Sequence, residues 1–415
     1  MPQLLIVADD LTGAADTGAC FARAGLGTVV RLSGTTVPEA DVVAVSTESR
    51  DLDDSAATKT VHAALIGITG SQSDAGPRWV YKKIDSALRG RPRDELFAVM
   101  DAIGATRALV APAFPAEART TVGGRQHIDA VPLESSQIGG AEVISDLVAL
   151  FETDYGPPVR LLDLATLRGR PDALRRLLQD DSKGILVADA ETDDDLMTLA
   201  SAVDGGRVRL FCGSAGFARQ LSHSLPLTRN AHPHAVGVRR SGPILIVAGS
   251  QHEATVRQIQ VLRESGVPIV RPGQSLVDDP AMAVDVTAAQ VATHLAAGRS
   301  VVLTSLGLVP STRGGRFIAS RLAEIAAAPE VSRQVGGLVL TGGDVAAAVC
   351  TALGAMALWL EGEISTGIPW GVLEGGRLHA SPIATKAGSF GADNALRSCI
   401  DHLTSEIMPG PSEPV

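Results

Sequence analysis

Short apolar runs alternate with amphipathic stretches along most of the chain. The apolar runs are rich in Val, Ile and Leu, which is typical of strands buried on both faces of a parallel sheet. The stretches between them carry apolar residues at helical spacing, as at Ala57, Val61, Ala64, Leu65 and Ile68. The pattern predicts an α/β fold with mostly parallel sheets.

The same pattern predicts the position of each strand. In the first half we expect strands over Leu4–Ala8, Thr28–Leu32, Val42–Ser46, Trp79–Lys82, Ala108–Ala111, Val159–Leu162, Gly184–Ala188 and Val208–Cys212. In the second half we expect strands over Ile244–Ala248, Pro268–Arg271, Ser300–Thr304 and Leu338–Thr341, then a glycine-punctuated, strand-like segment over Ile364–Thr385 and a last helix over Ala392–Leu403.

The periodicity disappears over His223–Gly242, a stretch rich in Pro, His and Arg and therefore typical of a linker. The chain has 415 residues, more than one hydrophobic core usually serves. We therefore predict two α/β domains, at 1–225 and 242–405, with a linker over 226–241 and a frayed tail over 406–415.

Charge and hydropathy narrow the class of protein. Lys and Arg number 36 and Asp and Glu 46, a net charge of −10, which argues against nucleic acid or an anionic membrane as partner. The longest uncharged apolar run, Val345–Leu360, has 16 residues, whereas a membrane span needs about 20. No basic signal-peptide segment opens the chain. We expect a cytoplasmic protein.

The four cysteines, Cys20, Cys212, Cys350 and Cys399, lie far apart in the sequence. None is in a C-x-x-C pair, so the spacing predicts neither a zinc site nor a disulfide framework. We expect buried free thiols.

Polar residues follow the predicted strands at the end where open α/β sheets bind ligands. Asp9 and Asp10 follow the first strand, and they suit metal, hydroxyl or proton-transfer chemistry, although helix capping would explain one of them. Arg50 follows Val42–Ser46; it is either a fork for a carboxylate or phosphate, or a surface partner of Asp51 or Asp53.

The segment after Trp79–Lys82 carries charges of both signs at Lys83, Asp85 and Arg89. Only five lysines occur in the chain, and two of them, Lys82 and Lys83, lie here. A buried sheet tolerates charge mainly at its ligand-binding end. The segment therefore indicates a site for a polyol acid or a phosphate, with a solvated loop as the alternative.

Three glycine-containing turns follow strands or precede helices in the second half: Gly249-Ser250-Gln251, Gly342-Gly343-Asp344 and Lys386-Ala387-Gly388-Ser389-Phe390-Gly391. Glycine at a helix N-terminus lets backbone N–H groups approach phosphate. Together the turns indicate a nucleotide site. Neither the P-loop G-x-x-x-x-G-K-[ST] nor a dinucleotide G-x-G-x-x-G after the first strand of either domain is present.

Six segments occur in the order known from one family: IVADDLTGAADTG (6–18), STESR (46–50), KKIDSALRG (82–90), GSQ (249–251), TGGD (341–344) and TKAGSFG (385–391). In these segments, and over nearly its whole length, the chain resembles the four-carbon acid sugar kinases. The resemblance implies an N-terminal sugar-acid-binding domain, a C-terminal ATP-binding domain and an active-site cleft between them.

The resemblance also implies roles for individual residues. Asp10, Arg50, Lys83, Ile84, Asp85 and Ser86 would contact the sugar acid, with Arg89 as a supporting cation. Ser250, Gly342, Gly343, Asp344, Val345 and Gly388 would contact ATP. Val345 stands where relatives often have Thr, and Glu117-Ala118-Arg119 replaces a commoner Gly-Arg pair.

From these roles we expect an ATP-dependent kinase that phosphorylates a hydroxyl group of threonate, erythronate or a 2- or 3-oxo-tetronate. Arg50 and Lys83 would hold the substrate carboxylate, Asp10 or Asp85 would act as base, and Asp344 would hold Mg²⁺. The alternatives are a kinase of a branched oxo-acid, an NAD-dependent hydroxy-acid dehydrogenase and a non-catalytic sugar-acid-binding protein. Whether the chain forms a homo-oligomer stays open.

Overall fold

The structure is a computed structural model, and it describes most of the chain. The described residues are 1–34, 39–69, 76–136, 144–180, 182–203, 207–230, 242–309 and 314–407. Most of the expected linker over 226–241 and of the expected tail over 406–415 lies outside these ranges.

Strands and helices alternate through the first half of the chain. In order they are β1 Leu4–Ala8, α1 Leu11–Arg23, β2 Thr28–Arg31, β3 Val42–Ser46, α2 Asp54–Thr69, β4 Trp79–Lys83, α3 Pro92–Ala102, β5 Arg107–Ala111, β6 Arg119–Val122, β7 Arg125–Ile128, β8 Val131–Pro132, α4 Leu147–Phe151, β9 Val159–Leu162, α5 Leu164–Leu167, α6 Pro171–Gln179, β10 Gly184–Ala188, α7 Asp193–Ala202, β11 Leu210–Gly213 and α8 Ala215–Ser224.

The second half continues the alternation and then adds a β-rich segment. Its elements are β12 Ile244–Ala248, α9 Glu253–Glu264, β13 Ile269–Val270, α10 Ser275–Asp278, α11 Pro280–Ala296, β14 Val301–Thr304, α12 Gly314–Ala327, α13 Pro329–Ser332, β15 Gly337–Thr341, α14 Gly343–Leu353, β16 Ala357–Ser365, β17 Ile368–Glu374, β18 Pro382–Lys386 and α15 Ala395–Ile407.

The chain forms two compact units. The first comprises Met1–Thr28 and Glu39–Ala231, and the second comprises Val29–Pro38 and His232–Val415. The backbone N–H groups of Leu32 and Ser33 donate to the carbonyl oxygen of Met356, which joins this early segment to the second unit.

The sheet of the first unit has the strand order β3-β1-β4-β11-β5-β10-β9, and all its strand pairs are parallel. β1, β4, β5 and β10 are buried along their whole length. Burial on both faces explains why these strands appear in the sequence as continuous apolar runs rather than as alternating ones.

A second, three-stranded antiparallel sheet, β6-β7-β8, belongs to the same unit and has no counterpart among the predicted strands. Its sequence, Arg119–Pro132, is polar and contains Gly123-Gly124. Because short hairpin strands carry few apolar residues, the hydrophobic pattern gives no signal for them.

The sheet of the second unit has the order β13-β14-β12-β15-β18, all parallel, followed by β17 and β16, which are antiparallel. The apolar run Val345–Leu360 divides into most of α14 and the start of β16. Gly354, with φ at 70°, ends α14 in the left-handed conformation that glycine adopts without strain.

Apolar side chains from α9 and α15, including Ile259, Leu262, Leu396 and Leu403, pack against buried strand residues of the second unit. All four cysteines are buried and free, as predicted. No helix in the described part of the chain is long and apolar enough to cross a membrane. The predicted fold class, two α/β domains with mostly parallel sheets, is confirmed.

Candidate functional site

Three neighbouring strands of the first unit end at the same level. Ala8 at the end of β1 pairs with Ser46 of β3 on one side and with Lys83 of β4 on the other. The residues that follow these strands therefore meet at one edge of the sheet. We call Asp9, Asp10, Arg50, Lys83, Asp85 and Arg89 the polar cluster.

Arg50 binds both carboxylates that follow β1. Its Nε and Nη2 atoms donate to the two oxygens of Asp9 at 2.8 and 2.9 Å, and Nη1 donates to Asp10 Oδ2 at 2.5 Å. The predicted partners on the same loop, Asp51 and Asp53, are not its partners in these contacts. Arg50 thus joins the β1 and β3 loops into one structure.

Asp10 also caps the N-terminus of α1. Its Oδ1 accepts the N–H of Gly13 at 2.7 Å, and its Oδ2 accepts the hydroxyl of Thr12 at 2.9 Å. Of the two readings of the Asp9-Asp10 pair, capping accounts for Asp10. Asp9 binds the guanidinium in a bidentate manner, which capping does not explain.

Asp85 forms its own ion pair four residues along the chain. Arg89 donates from Nε to Asp85 Oδ2 at 2.7 Å and from Nη2 to Oδ1 at 3.0 Å. The loop that contains them is fixed at two more points. The N–H of Ile84 donates to the carbonyl of Gly213, and Gln126 of β7 donates to the carbonyl of Ser86 at 2.7 Å.

Lys83 is 6% exposed, and its ammonium group lies beside the first turn of α1. A Cβ atom on Gly13 would stand 3.3 Å from Lys83 Nζ and 2.6 Å from Asp10 Oδ1, so the chain passes here without room for a side chain. Among the residues that the structure describes, Lys83 Nζ has no hydrogen bond and no ion pair. Its positive charge nevertheless contributes to lowering the pKa values of Asp9 and Asp85.

Nearby cations hold the pKa values of two carboxyl groups of the polar cluster, Asp9 and Asp85, below their usual range. Burial raises the pKa of Asp85, but the charges of Arg89, Arg50 and Lys83 outweigh it and hold that pKa far below its usual value. Burial also raises the pKa of Asp9, and Arg50, Lys82 and Lys83 again reverse the effect. Burial lowers the pKa of Arg50, whereas Asp10, Asp9 and Asp85 raise it well above normal.

Two residues near the polar cluster were not expected to belong to it. Gly90, with φ at 90°, lies so close to Asp9 that a Cβ atom would stand 3.1 Å from Oδ2. Arg119 of β6 is 6% exposed. Burial lowers the pKa of Arg119, while Asp85 raises it and Arg89 lowers it, so its guanidinium lies within electrostatic range of the cluster.

Lys82 differs from its neighbour Lys83. It is fully buried, and its Nζ contacts Glu95 Oε2 of α3 at 2.6 Å. It also donates to the carbonyl of Lys83 at 2.8 Å. The sequence places both lysines at the predicted ligand end of the strand, but the structure gives Lys82 an internal partner.

In the second unit three parallel strands likewise end side by side. Thr341 at the end of β15 pairs with Ala248 of β12 and with Lys386 of β18. The N–H of Gly342 donates to the carbonyl of Lys386 at 2.9 Å. The three predicted glycine turns are therefore brought together.

Ser250, from the first glycine turn, lies close to glycines of the second and third turns, Gly342 and Gly388. A Cβ atom on Gly388 would overlap Ser250 Oγ, and a Cβ atom on Gly342 would lie 3.8 Å from the backbone nitrogen of Ser250. Gly342 has φ at 98°, which favours glycine, and α14 begins directly after it. We call Ser250, Gly342, Gly343 and Gly388 the glycine cradle.

Val345 and Asp344 occupy the first turn of α14. The Val345 side chain is buried and fills the space in which a Cβ atom on Gly249 would lie, so only the backbone of Val345 can face a ligand. Asp344 Oδ1 lies 3.7 Å from Arg316 Nε, with both side chains nearly half exposed. Among the described residues, no three His, Cys, Asp or Glu side chains form a metal-binding group.

Lys386 is fully buried beneath the cradle. Its Nζ donates to the carbonyls of Ala387 at 2.8 Å, Phe390 at 3.0 Å and Gly388 at 3.3 Å. These hydrogen bonds fix the backbone of the third glycine turn, to which all three carbonyls belong. Lys386 therefore supports the turn rather than presenting its charge to a ligand.

Two family models match the chain. A sugar-binding N-terminal domain matches residues 4–221, and a nucleotide-binding C-terminal domain matches residues 245–396. The matched ranges contain the polar cluster and the glycine cradle, respectively.

Among curated relatives, a D-threonate kinase of Cupriavidus necator is 35% identical, over 98% of this chain and 99% of its own. A D-erythronate kinase of Heliobacterium modesticaldum is 30% identical, over 98% of each chain. A 3-oxo-tetronate kinase of Methylobacterium radiotolerans is 31% identical, over 96% and 98%.

A solved structure from Salmonella typhimurium LT2 shares the fold, with a TM-score of 0.77 at 20% identity over 97% of this chain and 99% of that one. Both family models, together with relatives at 30% identity or more over almost the full length, agree with the resemblance of the sequence motifs. The chain belongs to the four-carbon acid sugar kinase family.

Proposed function

We propose that the protein is an ATP-dependent kinase that phosphorylates a hydroxyl group of a four-carbon sugar acid: threonate, erythronate or a 2- or 3-oxo-tetronate. The observation that carries the proposal is the buried Lys83 ammonium without a hydrogen-bonding partner in the polar cluster. A buried charge is costly unless it is paired, so this position suits an anionic ligand.

The substrates in the names of the three relatives differ in stereochemistry and oxidation state. They share a carboxylate and a four-carbon chain. A site that serves this class must recognise the carboxylate, and Lys83 supplies a point charge for it. Arg50 uses three of its five N–H groups on Asp9 and Asp10, so it retains donors for the same ligand.

Asp10 and Asp85 are the two candidates for orienting the attacking hydroxyl and accepting its proton. Both already accept strong hydrogen bonds, Asp10 from Arg50 and Gly13 and Asp85 from Arg89. The low pKa of Asp85 makes its carboxylate a weak base. Phosphoryl transfer demands mainly positioning and charge neutralisation, so a weak base is sufficient. Ile84 and Ser86 would contact the sugar acid through groups other than the Ile84 N–H and the Ser86 carbonyl, which are already bonded to Gly213 and Gln126.

The glycine cradle is the proposed site for the phosphates of ATP. The N–H groups of Gly343 and Gly388 and the Ser250 hydroxyl lie at the ends of three adjacent strands, and the N-terminus of α14 favours negative charge there. The N–H of Gly342 is bonded to the carbonyl of Lys386, so Gly342 would contribute through its missing side chain, which leaves room for the phosphates. Val345 would take part through its backbone.

Asp344 suits Mg²⁺ because Mg²⁺ in kinases is commonly held by one or two carboxylates together with substrate phosphates and water. A single, nearly half-exposed carboxylate beside the cradle fits this donor set, directly or through water. Bound there, Mg²⁺ would neutralise charge on the phosphates.

Of the alternatives from the sequence, a branched oxo-acid kinase requires the same two sites and differs only in substrate. Family membership and the relatives' kinase names favour neither the dehydrogenase nor the non-catalytic binding protein.

The first test is the substrate range. In a coupled assay for ADP release, we expect turnover with at least one of the threonates, erythronates and 2- or 3-oxo-tetronates. The corresponding aldoses, which lack the carboxylate, serve as the matched control. Turnover of aldoses alone, or none with ATP on any acid, would contradict the proposal.

Replacing Lys83 tests the carboxylate site. For Lys83→Met we expect the KM for the sugar acid to rise about 10–100-fold, because a hydrogen bond to a charged group is lost. The KM for ATP should stay within about twofold. Lys59→Met, on the exposed surface of α2, is the control for removal of a lysine charge. An unchanged KM for the acid in Lys83→Met would exclude Lys83 from substrate binding.

Replacing the two carboxylates tests the base. Asp10→Asn or Asp85→Asn should lower kcat by about 10²–10⁴-fold, and Asp101→Asn, with an 82% exposed side chain, should not. Because the pKa of Asp85 lies far below its usual value, this group stays ionised as pH rises from about 5 to 9. Any pH dependence of kcat/KM in that range should therefore persist in Asp85→Asn. Near-normal kcat in both variants would refute the scheme.

Adding one methyl group tests the nucleotide site. In Gly388→Ala the new Cβ would overlap Ser250 Oγ and displace the cradle. We expect the KM for ATP to rise about tenfold to 100-fold with little change for the sugar acid. Gly315→Ala in the same unit, where no neighbouring atom lies within 4 Å, is the matched control. Equal ATP affinity in both variants would place the nucleotide elsewhere.

A further inference from the structure

A buried carboxylate on α3 connects the three loops of the polar cluster without belonging to it. Glu95 is 1% exposed and lies in the first turn of α3. Its Oε2 contacts Lys82 Nζ at 2.6 Å, and its Oε1 accepts the hydroxyl of Ser49 at 2.6 Å. Each carboxylate oxygen therefore has a different partner.

The first branch of this network reaches the loop that carries Arg50. Ser49 immediately precedes Arg50 and is fully buried. Its Oγ also lies 2.7 Å from Thr47 Oγ1, which donates to the carbonyl of Ala8, and the Ser49 N–H donates to the carbonyl of Asp9. Glu95 thus fixes the β3 loop against the β1 loop.

The second branch reaches the β4 loop. Lys82 Nζ donates to the carbonyl of Lys83 at 2.8 Å and lies 3.5 Å from the carbonyl of Val7. The Lys82 ammonium group therefore holds the backbone of Lys83 in place, and with it the position of the Lys83 side chain. No atom of Glu95 needs to touch a ligand for this effect.

We propose that Glu95 is a positioning residue for phosphoryl transfer, which holds Arg50 through Ser49 and the Lys83 backbone through Lys82. This inference rests on the proposed function, because it assumes that Arg50 and Lys83 bind the sugar acid. Reactions that depend on positioning lose rate or affinity when groups shift by about 1 Å. Buried ion pairs often add little net stability, so a role in fixing geometry suits this one.

The sharpest variant is Ser49→Ala, because it breaks the link to the Arg50 loop and leaves the Lys82–Glu95 pair intact. We expect the KM for the sugar acid to rise about 10–100-fold, by analogy with the loss seen when a hydrogen bond that supports a metal ligand is removed. The KM for ATP should stay within about twofold. A purely structural role would change the melting temperature without this difference between the two substrates.

A second variant, the double change Lys82→Met with Glu95→Gln, removes both charges so that neither is left buried alone. It should raise the KM for the sugar acid at least as much as Ser49→Ala does. The control is Asp195→Asn, which loses another buried carboxylate of the first unit, bonded to Arg168 at 2.8 Å. It should lower the melting temperature and leave both KM values unchanged.

The wild-type protein is measured first in the same ADP-release assay. If it phosphorylates no four-carbon acid, the proposed function fails and Glu95 is not the cause. If the wild type is active and the KM for the sugar acid is unchanged in a folded Ser49→Ala or in the double variant, the inference is overturned.

Discussion

Hydrogen bonding between parallel strands determines which residues meet in each of the two candidate sites. A parallel pair fixes the register of its residues, so Ala8, Ser46 and Lys83 end their strands at one level. The same holds for Ala248, Thr341 and Lys386 in the second unit. Each unit thus collects residues that are far apart in sequence at one sheet edge, where the loops are free to carry polar groups.

The pleat of β4 then separates two adjacent lysines. Successive side chains of a strand point to opposite faces of the sheet. Lys82 points to α3 and is neutralised by Glu95, whereas Lys83 points to the first turn of α1 and has no such partner among the described residues. One lysine supports the framework, and the other is available to a ligand.

Much of this could be predicted from the sequence. Runs rich in Val, Ile and Leu mark most of the strands, so β1, β3, β9, β10 and β12 have the predicted bounds. Polar residues at or just after the ends of such strands meet at one edge of the sheet, which is why Asp10, Arg50, Lys83 and Asp85 could be picked out as candidate site residues. The β6-β7-β8 sheet was missed because its strands are short and polar. The pairing of charges was not predictable, since Glu95 has no sequence feature that distinguishes it from any other acidic residue in a helix.

The few lysines of the chain show the same difference between what the sequence predicts and what it does not. Lys82, Lys83 and Lys386 all lie at strand ends, as the pattern indicated. Lys82 and Lys386 are nevertheless bound internally, to Glu95 and to the carbonyls of the third glycine turn. Position along a strand can be read from the sequence, whereas the partner of a side chain depends on which element packs above it.

Because Lys82 and Lys83 are adjacent and face opposite sides of the sheet, the length of β4 cannot change without moving both side chains. Loops at the ligand edge can lengthen or shorten while the strands keep their pairing. A deletion or insertion of one residue within β4 would instead turn each lysine to the opposite face. The ammonium group facing α1 would turn toward Glu95, its neighbour would enter the proposed sugar-acid site, and the loop after β4 would shift relative to both lysines. We therefore expect β4 to tolerate substitutions between apolar residues but no change in its length.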